Sequence, residues 1–193
     1  NCVSVMAKVN RCGQSAILSS AELDRLFDVM TPRCRAALSI CRYTASRISE
    51  ALALKWENVT NGYIVLEKSN TKTKHTRQVP LQPRLQQELE RWRKTQISEP
   101  VRTDWIFSRT DGSTTRPTPR RTIDHALRTA CKRVGLRGVS THTLRRSALT
   151  SASDKGVPLR HIQSLSGHAS LDCLSKYLQV TDGHKRAAAL AFA

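Results

Sequence analysis

Residues 165–180 read LSGHASLDCLSKYLQV, and the fold turns on whether Tyr177, nine positions after His168, packs in a core or reacts. Taken alone, a tyrosine in such a helix-compatible segment is a half-buried core aromatic. The chain has three tyrosines. Tyr63 falls in a β-type run, and Tyr43 lies four residues before Arg47 on a stretch that reads as a buried helix. Only Tyr177 stands behind a glycine–histidine turn, so the rest of the chain must supply a site for it.

The 193 residues fit one domain. Lys and Arg number 32 against 15 Asp and Glu, a net charge of +17. Such an excess repels itself in a folded domain and points to a polyanionic partner, nucleic acid above all. The six cysteines, at positions 2, 12, 34, 41, 131 and 173, are scattered without a CxxC pair. They read as reduced thiols of an intracellular protein rather than a disulfide framework or a zinc site. No signal peptide and no membrane-spanning apolar run is expected.

Residues 1–17 show no sustained periodicity and read as a linker or fragment boundary, leaving 18–193 as the domain. Helices are expected over LSSAELDRLFDVM, PRCRAALSICRY and ASRISEALALKWENV. GYIVLEK and TRQVPL then read as two strands of a hairpin around the polar loop SNTKTKH. A helix follows from Pro83, WIFS reads as a short strand, and further helices run from PTPRRTIDHALRTACKRVGL to the C-terminus. The expected class is α+β, mainly α, with one small antiparallel sheet.

Four segments carry chemistry. TASRISEALAL places Arg47 three residues ahead of Glu50, and NTKTKHTRQVPL puts Lys72 and Lys74 on the hairpin loop. THTLRRSAL sets His142 and Arg145 at i,i+3 on one helix, and LSGH precedes Tyr177. In this order they resemble the tyrosine site-specific recombinases, the phage integrase and Xer family. That family carries an Arg-x-Ser-Glu box, a hairpin Lys before R-x-V-P-L, a His-x-Leu-Arg box, a Leu-Gly-His box and a Tyr nine residues on. The resemblance covers roughly residues 18–193.

The resemblance implies a metal-free and ATP-free enzyme, with no cofactor, that cleaves and rejoins duplex DNA through a 3′-phosphotyrosyl link. Arg47 and Arg145 would bind the non-bridging phosphate oxygens, where negative charge grows during attack. Tyr177, with an ordinary pKa of about 10, needs help losing its proton. His142 is the acid–base candidate for that step, and His168 a hydrogen-bond donor to the phosphate. Lys72 matches the family's lysine that protonates the leaving 5′ oxygen, with Lys74 as fallback. Glu50 orients Arg47.

Lys74, Arg77, Arg116, Arg120, Arg121 and Arg146 are read as DNA contacts, the phosphate contacts among them positioning DNA without reading sequence. Two departures from the pattern stand out. Arg146 occupies a place where the family often has a second His, and Arg145 is preferred over it on spacing. Ser166 replaces a common Leu, a packing change expected to leave catalysis alone. The resemblance implies double-stranded DNA as the partner, and TDGHKRAAALAFA resembles the family's C-terminal helix, which implies self-association as a tetramer on DNA, the alternative being a helix that caps its own core. A DNA-relaxing type IB topoisomerase and a non-catalytic DNA-binding relative are the rival readings.

Overall fold

The computed structural model describes residues 15–67, 69, 75–98, 103–109, 116–175, 177–178 and 182–192. Helix α1 (Ser20–Asp28) starts at a capping box in which Ser19 Oγ accepts from the Glu22 amide and Glu22 accepts from the Ser19 amide. Its Leu23, Leu26 and Phe27 turn into the core. Helix α2 (Pro32–Thr44) begins with proline at its first turn and buries Ala36, Ala37, Leu38, Ile40 and Cys41. It is the central helix, packed against the elements that follow. It stops at Ala45, whose backbone is left-handed at φ 51°.

Helix α3 (Ile48–Leu52) is much shorter than the periodicity of 45–59 predicts. The chain leaves the helix because its backbone pairs elsewhere: Ile106 N donates to Leu54 O, and Trp56 N to Asp104 O. A 3-10 turn (Trp56–Asn58) follows, closed by Asn58 Oδ1 accepting from the Lys55 amide at 2.8 Å.

The sheet has three antiparallel strands, β1 (Val59–Thr60), β2 (Tyr63–Leu66) and β3 (Arg77–Pro80), in the order β1-β2-β3. The β2–β3 pairing is the expected hairpin, with Ile64 opposite Val79 and Leu66 opposite Arg77. The β1–β2 turn was not expected. Asn61 and Gly62 both have positive φ there, as a tight two-residue hairpin requires.

Helix α4 (Pro83–Ile97) buries Leu85, Leu89, Trp92 and Gln96 on one stripe. The segment expected as a short strand, 105–108, forms only isolated bridges at Trp105 and Ser108, while Ile106 and Phe107 are buried in the core. Helix α5 (Arg120–Arg133) and α6 (Thr141–Asp154) complete the main core around α2. Then come α7 (Leu159–Ser166), α8 (Leu171–Ser175) and α9 (Asp182–Leu190). A second small core joins Leu149, Ile162 and Leu174, with Ala45, Tyr177 and Leu178 packed against it.

Cys34, Cys41, Cys131 and Cys173 are free thiols, and burial pushes Cys41 up to about 12. Among the described residues no helix is long and apolar enough to cross a membrane.

Candidate active site

Arg145 lies at the middle of α6 with only 1% of its surface exposed, an unusual place for a guanidinium. Its Nη1 donates to the Ala45 carbonyl at 2.6 Å, a carbonyl turned toward α6 by the left-handed end of α2. Its Nη2 donates to His168 Nε2 at 2.9 Å. Burial, with the like charge of Arg47, lowers the Arg145 guanidinium to about 10, so it stays charged at neutral pH.

His168 follows the left-handed Gly167 that ends α7. Nη2 also lies 3.3 Å from Nδ1, but the shorter contact makes Nε2 the acceptor of the arginine's proton, and the neutral ring then carries its own on Nδ1. That Nδ1 donates to Ser166 Oγ at 2.7 Å. Burial first, then the charges of Arg145, Arg47 and Arg77, push the imidazole down to about 4. The Tyr177 ring lies 5.1 Å from that of His168, tilted by 55°. Its carbonyl accepts from Thr150 Oγ1 of α6 at 3.2 Å.

Arg47 precedes α3 and donates from Nη1 to Glu50 Oε1 at 3.0 Å. Glu50 Oε2 accepts from the Arg47 amide at 3.0 Å and from Arg77 Nη2 at 2.7 Å. Burial alone would raise the Glu50 carboxyl, but the bonds and charge of Arg77, with those of Arg47, outweigh it and hold it below the usual range. Arg47, Arg77 and His168 line one cleft of about 710 Å³, with His75, Arg160 and Cys173 on its walls.

Of the residues singled out in the sequence, Arg47 meets Glu50, and Arg145, His168 and Tyr177 form a second set of contacts; Arg77 joins the two by bonding Glu50 and the Leu165 carbonyl ahead of His168. His142 sits in the first turn of α6 and is exposed. Lys72 and Lys74 lie outside the described residues. Arg116, Arg120 and Arg121 are exposed at and before the start of α5, where Arg120 pairs with Asp124 at 3.2 Å.

Three readings need correction. Arg77 was expected to meet DNA, but its side chain is 7% exposed, bonded to Glu50 and to Leu165 O. Arg146 is likewise buried, and its Nη1 donates to Ser15 O at 2.7 Å, tying the incoming chain to α6. The contact with Ser15, 131 residues away in sequence, is invisible locally, so local sequence could not tell this arginine from a DNA contact. Ser166 is no packing change: it is fully buried and holds the His168 ring. A hydroxyl in a leucine position was the available signal. Among the described residues no cluster of His, Cys, Asp and Glu is placed to hold a metal ion.

The helices thus bring a buried arginine, a histidine and a tyrosine together beside a small antiparallel sheet. The phage integrase family profile matches residues 16–184, and the chain belongs to that family. A tyrosine recombinase of Pseudothermotoga lettingae is 29% identical over 87% of this chain and 57% of its own length. Tyrosine recombinase XerA of Pyrococcus horikoshii is 32% identical over 74% of this chain and 48% of its own. The chain thus spans about half the length of these relatives. The XerH site-specific recombinase, solved bound to palindromic difH substrate as a post-cleavage complex, superposes with a TM-score of 0.74. It is 26% identical, covering 94% of this chain and 54% of that one.

Proposed function

We propose that residues 18–193 are the catalytic domain of a site-specific DNA recombinase that breaks and rejoins duplex DNA by transesterification, with residues 1–17 a linker. The observation that carries this reading is the meeting of two sets beside one basic cleft, Arg47 with Glu50 and Arg145 with His168 and Tyr177, joined through Arg77. The partner proposed is double-stranded DNA, as in the XerH complex, and the proposed setting is intracellular, cytoplasmic and on nucleoid DNA for a protein of prokaryotic or phage origin.

In this reading the scissile phosphate enters the cleft and Arg145 and Arg47 take its non-bridging oxygens. Tyr177 Oη attacks phosphorus and its proton passes to His142. The P–O5′ bond breaks, and Lys72 supplies the proton of the leaving 5′ hydroxyl. The phosphotyrosyl ester keeps the energy of the broken bond, so a second 5′ hydroxyl reverses the step on a new strand. Exposed basic side chains such as Arg116, Arg120 and Arg121 hold the backbone of the duplex. Helix α9 adds self-association: its described side chains are all exposed, and Leu190 and Phe192 at its end are 82% and 87% exposed. Docked on a neighbouring copy, they would link protomers into a tetramer on DNA.

The test mixes the chain with nicked duplexes of random sequence, denatures with detergent and looks for a covalent adduct. An adduct lost in Tyr177→Phe supports the reading and its DNA reports the site. An adduct that persists in that variant removes Tyr177 as nucleophile. Relaxation of any plasmid without site preference would favour a topoisomerase.

A further inference from the structure

Resting on that reading, we propose that Arg77 is a positioning residue for the transesterification, a strut that fixes Arg47 and the turn carrying His168 relative to one another. Arg77 opens β3, opposite Leu66, and its side chain runs inward from the sheet edge. Three separate parts of the chain converge on its guanidinium. Nη2 donates to Glu50 Oε2 at 2.7 Å, and Glu50 in turn holds both the amide and Nη1 of Arg47. Nε donates to the carbonyl of Leu165 at 3.0 Å, three residues before His168.

The flat face of the group lies against Gly167. A Cβ built there would meet Nη1 at 2.9 Å and Cζ at 3.1 Å. Gly167 is therefore required twice, for its φ of +68° and for the room that Arg77 takes. Glycine lets the turn close on the strut, and the strut then sets where His168 begins.

A planar fork suits this task. One guanidinium makes two bonds in different directions at fixed angles, where an ammonium is a point charge on a flexible stem. The bond to Glu50 is buried on both sides, with the carboxylate side chain at 0% exposure and Arg77 at 7%. Breaking it leaves Glu50, among the described residues, paired with Arg47 alone, and the carboxylate then draws the arginine that faces the cleft. Arg77 shows only 7% of its side chain at the cleft wall and its described bonds go to Glu50 and the Leu165 carbonyl, so its effect runs through Arg47 and His168. Misplacing reacting groups by about 1 Å costs about 10²-fold in rate.

The experiment compares the chain with Arg77→Gln and Arg77→Lys. It measures duplex affinity, the rate of Tyr177 adduct formation at saturating nicked duplex, and the NMR signals of the Arg47 Nε–H and His168 ring without DNA. The expected result is affinity unchanged within about twofold, cleavage down about 10²-fold in Arg77→Gln, and partial recovery in Arg77→Lys. The Arg47 and His168 signals should both move in Arg77→Gln. Wild-type cleavage in Arg77→Gln overturns the proposal. So does a loss confined to affinity with a shallower salt dependence, which would make Arg77 a phosphate contact. If the unaltered chain forms no adduct on any duplex, the recombinase reading falls and the spectra alone judge the strut: shifted signals uphold it, unshifted signals end it.

Discussion

Arg145 and His168, 23 residues apart in sequence, share a 2.9 Å hydrogen bond that directs the histidine's lone pair at the arginine. The bond leaves Arg145 spread between two acceptors, Ala45 O and His168, before any phosphate arrives. In the proposed reaction an entering phosphate oxygen would find the guanidinium already oriented, the condition under which such donors stabilise developing charge most.

Arg145→Lys keeps the charge but cannot bridge Ala45 and His168. Cleavage of nicked duplex should fall by about 10²-fold or more, while DNA affinity changes little. Single-turnover adduct formation checks this, and an active lysine variant would contradict the bridging role.

The neutral state of His168 has a consequence for acid stability. Its pKa is about 4 in the folded chain against an ordinary 6.5, so the unfolded chain binds the extra proton between those values. Stability is therefore full above pH 6.5 and drains as pH falls toward 4, by about 3 kcal/mol at the limit. His168→Gln should flatten that part of the denaturation profile, as measured by urea melts at each pH.

Ser166 sets the proton of His168 on Nδ1. Nitrogen-15 NMR of labelled histidine should show Nδ1 as the protonated nitrogen at neutral pH in the unaltered chain. Ser166→Ala strips the acceptor from a buried N–H and should cost about 1–3 kcal/mol of stability and shift the tautomer balance. An unchanged spectrum would leave Ser166 with no part in the site.

Gly167→Ala tests the crowding against Arg77 directly. An alanine at φ +68° is strained by about 1–2 kcal/mol before any clash. Displacing the guanidinium adds to this, so the melting temperature and the cleavage rate should both drop.

Leu190→Glu with Phe192→Glu should leave cleavage of an isolated nicked duplex intact and abolish any assembly of protomers on paired sites. Sedimentation with and without DNA reads the difference.

Much of this was legible in the residues. Apolar spacing placed α1, α2 and α4 through α7, and the runs around SNTKTKH placed the β2–β3 hairpin. Periodicity failed at 45–59, where backbone pairing to residues 104 and 106 ends α3 early. The Asn61-Gly62 pair is itself a local hairpin signal, and both residues have positive φ. At the site, the resemblance of the ordered motifs to the recombinase family grouped Arg47, Glu50, Arg145, His168 and Tyr177. It could not tell buried arginines from DNA-facing ones, because Arg77 and Arg146 are paired with partners 27 and 131 residues away. The Ala45 carbonyl that seats Arg145 comes from a backbone conformation, which no residue type announces.

The stitching of residues 15–18 makes the chain's entry a point of mechanical input. Ser15 O is held by Arg146, Ala16 N by Gly138 O, and Leu18 N by Ser147 Oγ at 2.9 Å. Two of those three anchors sit on α6, immediately beyond Arg145. A pull on the polypeptide ahead of Ser15 is thus delivered to the helix that carries the buried arginine, with no slack loop to absorb it.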